Sequence, residues 1–249
     1  MAGTKNPYFS EEEPPPEPMP IKAIIFDAGN TLIFIDPAVM VPLLRDHGAE
    51  VDVEGFKKAE FTARTRLVQR VEEGAFGTEN HIWKEYFENL LFTAGVPGER
   101  IEEVGNRIVE IHNEQHLWTH MDPSTGPALE RLQQAGYRLA IISNADGRME
   151  DLIEGAGIRD RFEFVMDSEI EGIEKPDSEI FLRACHRLGL APQECLYVGD
   201  LYPVDVLGAR KAGLQALLLD PFGELDYPVD RLPDVSALPD YMEQLSRRH

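Results

Sequence analysis

Cysteine is scarce in this chain of 249 residues, which contains only Cys185 and Cys195. Their spacing is not one that metal sites use, and two cysteines cannot form the dense disulfide framework of a small secreted domain. We therefore expect two buried, reduced thiols in a cytoplasmic protein.

Positive charge and long apolar runs are also in short supply. None of the hydrophobic runs approaches the roughly 18 residues that a membrane-spanning helix requires. The chain has 24 Lys and Arg against 45 Asp and Glu, a net charge of −21. This charge repels nucleic acid and anionic membranes, and also a phosphorylated substrate unless a bound cation reverses the sign locally. We predict neither nucleic acid nor a membrane as a partner.

The N-terminal segment has no apolar stretch after a basic start, so it does not match a secretory signal. Its composition is dominated by Glu and Pro, which bury too little surface to offset the entropy lost on ordering. We predict an acidic, Pro-rich, disordered tail at residues 1–19, with the sequence MAGTKNPYFSEEEPPPEPM.

Apolar segments of strand length alternate with amphipathic segments along most of the chain. Continuous apolar runs of this kind are typical of strands buried on both faces, and their alternation with helices indicates a parallel sheet with right-handed crossovers. We therefore predict an α/β fold with a Rossmann-like parallel sheet flanked by helices. The predicted strands are KAIIFD, YRLAIISN, FEFVMDS, CLYVGD and QALLLD.

The segment between the first and second predicted strands differs from the rest of the chain. It contains four stretches with helical periodicity and no convincing strand. We predict that residues 37–118 form an inserted four-helix domain, and that residues 20–36 and 119–249 form the α/β core.

Each of the first four predicted strands is followed by polar side chains. Open parallel sheets bind ligands at the carboxyl ends of their strands, so these side chains are expected to converge on one crevice. Three carboxylates, a lysine and hydroxyl groups suit phosphoryl transfer, as nucleophile, cation site and phosphate clamp. The residues are, in strand order, Asp27 and Thr31; Ser143 and Asn144; Lys175; Asp200 and Asp205.

Taken singly, most of these residues have an ordinary structural explanation. Asp200 and Asp205 suit a turn and a helix N-cap, and Ser143 suits a cap or turn. Lys175 fits a surface position beside a proline. Asp27 is the exception because it lies at a strand end among apolar residues. The order, chemistry and strand-end placement of the whole set favour a catalytic site.

Four motifs in order, FDAGNT, IISN, EKP and VGDLYPVD, resemble those of the haloacid dehalogenase-like (HAD) hydrolase superfamily over residues 21 to about 220. The resemblance implies an Asp27 nucleophile that forms an aspartyl-phosphate. It implies that Ser143 and Lys175 hold the phosphoryl oxygens and that Asp200, with Asp205, binds Mg²⁺, which prefers oxygen ligands. The helical insertion is similar to the family's type-I cap, which closes over the active site and selects the substrate.

The first motif departs from the family pattern at Gly29. The family reads Asp-x-Asp-Gly-Thr, whereas this chain reads Asp-Ala-Gly-Asn-Thr from Asp27 to Thr31. In the family the second Asp protonates the leaving group and later activates water, while its backbone carbonyl contacts the metal. Glycine keeps the carbonyl and lacks the acid, so we expect the metal site to persist and proton transfer to suffer.

General acid–base catalysis typically contributes about 10²–10⁴-fold, a small part of an enzyme's total acceleration. Its loss slows turnover without preventing attack by Asp27, and substrates with good leaving groups suffer least. Candidates for a replacement acid near the domain junctions are Asp36, His47, His116 and His120. His112, His116 and His120 also recur at four-residue spacing, compatible with a metal-binding helix face.

Three enzymatic functions remain open at this level. The one we favour is a Mg²⁺-dependent phosphatase acting on a small phosphorylated metabolite. A 2-haloacid dehalogenase also lacks the second acid, but that branch usually has tyrosine at Gly29, serine at Asp200 and no metal. Phosphonoacetaldehyde hydrolases combine magnesium with a Schiff-base lysine, for which Lys57, Lys58 and Lys84 are the candidates.

A non-catalytic module that binds a phosphorylated ligand or a partner is the remaining possibility. Retention of the other polar motif residues, namely Asp27, Ser143, Lys175, Asp200 and Asp205, argues against it. In the insertion, Arg64, Arg66 and Lys58 offer positive charge to a substrate anion, although a solvated helix face is the better explanation. Nothing in the sequence indicates the oligomeric state.

Overall fold

A sheet of six parallel strands forms the centre of the molecule, and a separate two-stranded antiparallel ribbon lies beside it. The computed structural model describes residues 20–72 and 80–247. The tail predicted at residues 1–19 lies outside the described residues. The strands are β1 (Ala23–Phe26), β2 (Phe34–Ile35), β3 (Trp118–His120), β4 (Arg138–Ser143), β5 (Val165–Asp167), β6 (Cys195–Gly199), β7 (Gln215–Leu219) and β8 (Arg231–Leu232).

The order of strands in the sheet is β5-β4-β1-β6-β7-β8, which places β1 between β4 and β6. Every residue of β1 is fully buried, as its apolar sequence AIIF requires. Phe26 lies opposite Ile141 of β4 and Val198 of β6. The chain therefore leaves these three strands at the same edge of the sheet, and the predicted Rossmann-like α/β core is confirmed.

The segment between β2 and β3 is helical among the residues described there, where four helices are predicted. Asp36 caps the first of these helices by accepting a hydrogen bond from the Ala38 backbone N–H at 2.7 Å. Gly48 and Gly95, with φ of 96° and 91°, turn the chain after the first and third helices in a conformation that glycine adopts without steric cost. The four helices are α1 (Pro37–Asp46), α2 (Val53–Glu72), α3 (Asn80–Thr93) and α4 (Ile101–Gln115).

The remaining helices cover both faces of the six-stranded sheet. They are α5 (Thr125–Gln134), α6 (Met149–Gly155), α7 (Ser168–Glu171), α8 (Ser178–Leu188), α9 (Leu207–Lys211) and α10 (Leu238–Ser246). Ile24 and Phe26 belong to a core shared with α5, α6 and α10, whereas Ala23 and Ile25 belong to one shared with α8 and α9. Successive side chains of a strand point to opposite faces, so β1 contributes to both cores.

Several short elements are not indicated by the sequence periodicity. These are β2, β3, β8, α6 and α7, which span two to seven residues and are too short for a period to emerge. The helix predicted from VDVLGARKAG begins at Leu207, because Tyr202–Val206 form a π-helical turn before it.

Two predictions drawn from what the sequence lacks can be compared with the structure. Cys185 and Cys195 are buried, free thiols, as predicted. No helix within the described ranges is long and apolar enough to cross a membrane.

Candidate active site

The loops that follow β1, β4 and β6 bring the predicted site residues to one edge of the sheet. Asp27 directly follows β1, and its backbone N–H donates to the carbonyl of Val198 in β6 at 2.8 Å. Ser143 is the last residue of β4, and Asp200 directly follows β6. All three residues are buried. The predicted convergence at the carboxyl ends of the strands is therefore present in the structure.

Lys175 is the centre of this buried group. Its ammonium donates to Asp27 Oδ1 at 2.6 Å, to Asp205 Oδ1 at 2.8 Å and to the hydroxyl of Tyr197 at 2.9 Å. Only 3% of Lys175 is exposed, so a surface position is excluded. The ammonium bridges two carboxylates that would otherwise repel each other in a medium of low dielectric constant.

The Asn144 side chain fixes the backbone of Lys175. Its amide nitrogen donates to the Lys175 carbonyl at 2.9 Å, and its oxygen accepts from the Lys175 N–H at 2.8 Å. This pair of hydrogen bonds joins the loop after β4 to the segment before α8. Together with Ser143 and Lys175, Asn144 is one of the residues that we predict to bind substrate. Its hydrogen bonds in the structure position the lysine.

Asp205 organises the loop after β6. Its Oδ2 accepts the backbone N–H groups of Asp200 at 3.0 Å and Leu201 at 2.9 Å, while its Oδ1 accepts from Lys175. A Cβ at Gly199 would lie 2.4 Å from the Asp205 carboxyl carbon, a distance that real structures do not tolerate. The glycine at the end of β6 therefore leaves room for the carboxylate to turn back on the strand.

Burial alters the protonation of Asp27 and Asp200. Loss of hydration raises the pKa of Asp27 to about 6, with Lys175 opposing the shift and Asp205 adding to it. Loss of hydration also raises the pKa of Asp200 to about 8, and here Arg64 opposes the shift. Burial on its own would lower the pKa of Lys175. The attraction of the Asp205 and Asp27 carboxylates is stronger than this effect and raises the pKa well above its usual range. The lysine is therefore charged at neutral pH.

An arginine of the insertion completes the site. Arg64 of α2 donates to Asp200 Oδ2 at 2.8 Å and holds Glu60, one helical turn away, at 3.2 and 3.3 Å. The Tyr86 hydroxyl of α3 donates to the same Glu60 at 3.0 Å. Glu60 and Arg64 share the buried helix face of Phe56 and Ala59, and this charged pair within an apolar stripe is the signal that could have identified Arg64.

Further contacts hold the insertion against the core. The Phe61 ring lies 4.9 Å from that of Phe222, and Lys58 forms an ion pair with Glu224. The Tyr227 hydroxyl donates to a Glu72 carboxylate oxygen at 3.4 Å. All these core partners lie in the segment after β7, so α2 closes over the edge of the sheet that carries Asp200.

Trp118 borders the place where the family has its second aspartate. A Cβ added at Gly29 would lie 3.5 Å from the indole nitrogen and 3.6 Å from the adjacent ring carbon, which are ordinary contact distances. The indole N–H donates to Asn30 Oδ1 at 3.2 Å. Asn30 has φ of 57°, a conformation that asparagine tolerates better than most residues.

The carboxylates of Asp27, Asp200 and Asp205 match the ligand preference of a hard divalent cation. One oxygen from each lies within 4.8 Å of the others. Magnesium is bound by oxygen donors, usually one or two carboxylates, so this donor set fits it. The hydroxyl of Thr31 is buried and has no hydrogen-bond partner within the described part of the chain.

The other sequence candidates lie in ordinary structural contacts. Asp36 caps α1, and His47 contacts the Leu43 carbonyl through Nδ1 at 2.7 Å. His120 lies in β3 opposite Phe34. Arg66 donates to Asn89 of α3 at 2.8 Å and contacts no core residue through this bond.

Three of the aromatic residues of α3 pack against the hydrophobic core rather than facing solvent. Tyr86 is fully within the hydrophobic core, and Trp83 and Phe87 are partly buried against it. Trp83 and Phe87 each contact the ring of Trp118, at centroid distances of 5.7 and 6.3 Å.

Comparison with known proteins agrees with this architecture. Residues 21–213 match the family model of haloacid dehalogenase-like hydrolases. The haloacid dehalogenase-like hydrolase domain-containing protein 3 of Bos taurus is 29% identical over 92% of this chain and 97% of its own length. The glyceraldehyde 3-phosphate phosphatase of Pyrococcus abyssi is 30% identical over 79% of this chain and 80% of its own length.

Solved structures of haloacid dehalogenase-like proteins have a similar fold. A 2-haloacid dehalogenase from Pseudomonas syringae pv. Tomato DC3000 is similar with a TM-score of 0.56 and 27% identity, over 92% of this chain and 100% of that one. The magnesium-bound HAD-family protein YfnB from Bacillus subtilis has a TM-score of 0.64 and 21% identity, over 90% and 99% of the two chains, and supports the fold alone. The chain belongs to the haloacid dehalogenase-like hydrolases.

Proposed function

We propose that this hydrolase is a Mg²⁺-dependent phosphatase of small phosphorylated metabolites, with Asp27 as its nucleophile. The observation that carries the proposal is the buried group in which Lys175 holds Asp27 at 2.6 Å while Asp200 lies beside them within the same carboxylate cluster. The similarity to the glyceraldehyde 3-phosphate phosphatase of Pyrococcus abyssi supports a phosphoric monoester as the substrate class.

The residues that would hold magnesium are Asp27, Asp200 and the backbone carbonyl of Gly29, with Asp205 as the remaining carboxylate. Bound Mg²⁺ would neutralise charge on the phosphoryl oxygens and orient them. Both oxygens of Asp205 already accept hydrogen bonds, so its main part is to fix Lys175 and the loop after β6.

In the first step an Asp27 carboxylate oxygen attacks the phosphorus atom, and the bond to the leaving oxygen breaks. The product is an aspartyl-phosphate, which water hydrolyses to regenerate the carboxylate. Lys175 exchanges its contact with Asp27 for a contact with a phosphoryl oxygen, and the Ser143 hydroxyl donates to another. Lys175 and Ser143 are both buried, and a buried donor stabilises developing charge more strongly than one in water.

Proton transfer is the weak part of this mechanism. Gly29 supplies no acid, and the indole of Trp118 borders the space that the acid would occupy. Asp36 and His47 are engaged in capping contacts of α1, so neither is a ready replacement. We therefore assign the enzyme slow turnover and a preference for good leaving groups such as acyl or aryl phosphates.

Arg64 links substrate entry to movement of the insertion, which acts as a cap. In the structure its guanidinium is paired with Asp200, a proposed metal ligand. If Asp200 held a cation, its carboxylate would no longer be available to the guanidinium, and Arg64 would be free to pair with the phosphate or another substrate anion. Arg is suited to this role because its planar fork matches phosphate and carboxylate oxygens.

The dehalogenase is the second candidate, supported by the 27% identity to the enzyme from Pseudomonas syringae. The carboxylate of Asp200 in the site favours the phosphatase, because the dehalogenase reaction needs no metal ligand there.

The phosphonoacetaldehyde hydrolase reaction needs a desolvated lysine. Lys57, Lys58 and Lys84 each pair with a glutamate and have partly exposed side chains, which disfavours it.

The test is the hydrolysis of p-nitrophenyl phosphate with and without Mg²⁺, beside a halide-release assay with 2-chloropropionate. We expect Mg²⁺-dependent phosphate release that Asp27→Asn abolishes. Asp240→Asn is the matched control, since Asp240 lies on α10 in an exposed ion pair with Arg131. Halide release without metal would show that the protein is a dehalogenase and not a phosphatase. No activity in either assay would favour a binding module.

A further inference from the structure

A second cluster of potential metal ligands lies outside the carboxylate site. It consists of His112, His116 and Asp146, each of which offers one ligand atom within 4.8 Å of the others. Zinc bonds of about 2.0–2.2 Å in a tetrahedral arrangement place ligand atoms about 3.3–3.6 Å apart. Side-chain rotations are therefore enough to bring these three atoms to one cation.

The three residues come from two parts of the chain. His112 lies in the last turn of α4, and His116 follows one turn later at its C-cap, with the two ring centroids 4.3 Å apart. Asp146 lies in the loop after β4. The sequence places His112, His116 and His120 at four-residue spacing, but only the first two belong to the cluster, because His120 lies in β3.

A cation already lies among these groups. The Arg148 guanidinium is 2.9 Å from His112 Nε2, and its Nε donates to Asp146 Oδ2 at 3.0 Å. Arginine only donates, so His112 Nε2 must accept and the ring proton is assigned to Nδ1. That Nδ1 is buried without a partner among the described residues. The imidazole lone pair and the carboxylate are thus directed at positive charge.

Both imidazoles are suited to metal binding by their protonation state. Burial, together with repulsion from His112 and Arg148, lowers the pKa of His116 to about 4. Burial likewise lowers the pKa of His112. Neutral imidazole is the form that binds metals. His116 Nδ1 accepts the Trp118 backbone N–H at 3.2 Å, and metal binding exchanges this one hydrogen bond for a coordination bond.

We propose that His112, His116 and Asp146 bind a divalent transition cation of the Zn²⁺ type, which displaces the Arg148 guanidinium. Two imidazole nitrogens and one carboxylate oxygen are zinc ligands, whereas magnesium takes oxygen donors. The side chain of Arg148 is partly exposed, so the displaced guanidinium can move into solvent. Because α4 ends the insertion and Asp146 belongs to the core, the bound cation ties the insertion to the sheet.

The test is calorimetric titration of the untagged, EDTA-treated protein with Zn²⁺ in excess Mg²⁺, which competes for the carboxylate site. We expect one Zn²⁺ per chain, with His112→Ala and His116→Ala each weakening binding about tenfold or more. His120→Ala is the matched control and keeps the wild-type affinity. Arg148→Gln removes the competing charge and binds Zn²⁺ more tightly, an effect that a purely structural cluster would not produce.

Fluorescence gives a readout that depends on position. The Trp118 ring lies 6.0 Å from that of His112 and 5.8 Å from that of His116, so Ni²⁺ at the cluster should quench it. Quenching should disappear in the two alanine variants, whose folding is checked by their metal-free melting temperatures. Equal Zn²⁺ binding by wild type and both alanine variants, or no binding even by Arg148→Gln, would overturn the proposal.

Discussion

The ammonium of Lys175 lies 2.6 Å from a carboxylate oxygen of Asp27, and both side chains are buried at the carboxyl end of β1. The residue assigned as nucleophile and the one assigned to hold phosphate are therefore partners in the structure. A second carboxylate, that of Asp205, accepts from the same ammonium. Removing the lysine leaves two buried carboxylates facing each other without a counter-charge.

Lys175→Met should therefore lower the free energy of unfolding by about 3–5 kcal/mol, the usual cost of breaking a buried ion pair from one side. Urea unfolding in EDTA measures this loss. The control is Lys22→Met, which removes an ion pair of the same 2.6 Å length in which the lysine side chain is 55% exposed. Exposed pairs contribute about 0–1 kcal/mol. The double variant Lys175→Met with Asp27→Asn should regain part of the loss, and equal losses for both lysines would contradict this account.

Gly29→Asp should restore the missing acid. The structure accommodates a Cβ at this position, with the Trp118 indole at 3.5 Å. We expect turnover of alkyl phosphates to rise by up to about 10²–10⁴-fold, whereas the burst phase with p-nitrophenyl phosphate, whose leaving group needs little protonation, should change little. Gly29→Asn has nearly the same shape without the acid and should give no gain. No gain from aspartate, with magnesium binding intact, would mean that another residue already serves as the acid.

Arg64→Gln should uncouple the cap from the metal site. The change removes the positive charge 2.8 Å from Asp200 and leaves Glu60 with Tyr86. We expect half-maximal activation at a severalfold lower Mg²⁺ concentration, together with a higher KM for the phosphate ester. Arg66→Gln is the matched control, since Arg66 lies on the same helix and bonds to Asn89 within the insertion. If both variants retain the wild-type Mg²⁺ dependence, the proposed role of Arg64 is wrong.

Metal-free protein should lose stability as the pH rises. Burial raises the pKa of Asp27 to about 6 and that of Asp200 to about 8, from an ordinary value of 3.8. Between about pH 4 and 8 the folded state therefore binds protons that the unfolded chain has released, so the free energy of unfolding falls with rising pH.

Melting temperatures measured across this range in EDTA should show that decline, and Mg²⁺ should reduce it by stabilising the ionised carboxylates. Asp200→Asn should flatten the upper part of the profile, near pH 8. Asp240→Asn, at an exposed position, should leave the slope unchanged. A slope in Asp200→Asn equal to that of wild type would show that other groups carry the pH dependence.

The sequence was informative where local pattern determines structure. The apolar run before Asp27 predicts a buried strand, and the strand-end rule predicts that Asp27, Ser143 and Asp200 share an edge. The four insertion helices are long enough for their periodicity to be read. The roles assigned to these site residues, and the boundaries at 37–118, remain predictions.

Contacts between distant segments could not be read in the same way. Arg64 reaches Asp200 across 136 positions of the chain, whereas the sequence favoured a solvated helix face for this residue. Tyr197 lies inside a strand that reads as apolar, and its hydroxyl meets Lys175 only in the folded core. Such partners depend on how helices dock, which hydrophobic periodicity does not encode.

The most direct test of the mechanism is rapid-quench kinetics with p-nitrophenyl phosphate and Mg²⁺, followed by mass spectrometry of the quenched protein. Because the acid missing at Gly29 would also activate water, breakdown of the aspartyl-phosphate should be slow. We predict a burst of about one p-nitrophenolate per chain and a phosphoryl group on Asp27, both absent in Asp27→Asn. Undiminished p-nitrophenolate release by Asp27→Asn, or a phosphoryl group mapped to another residue, would contradict the account.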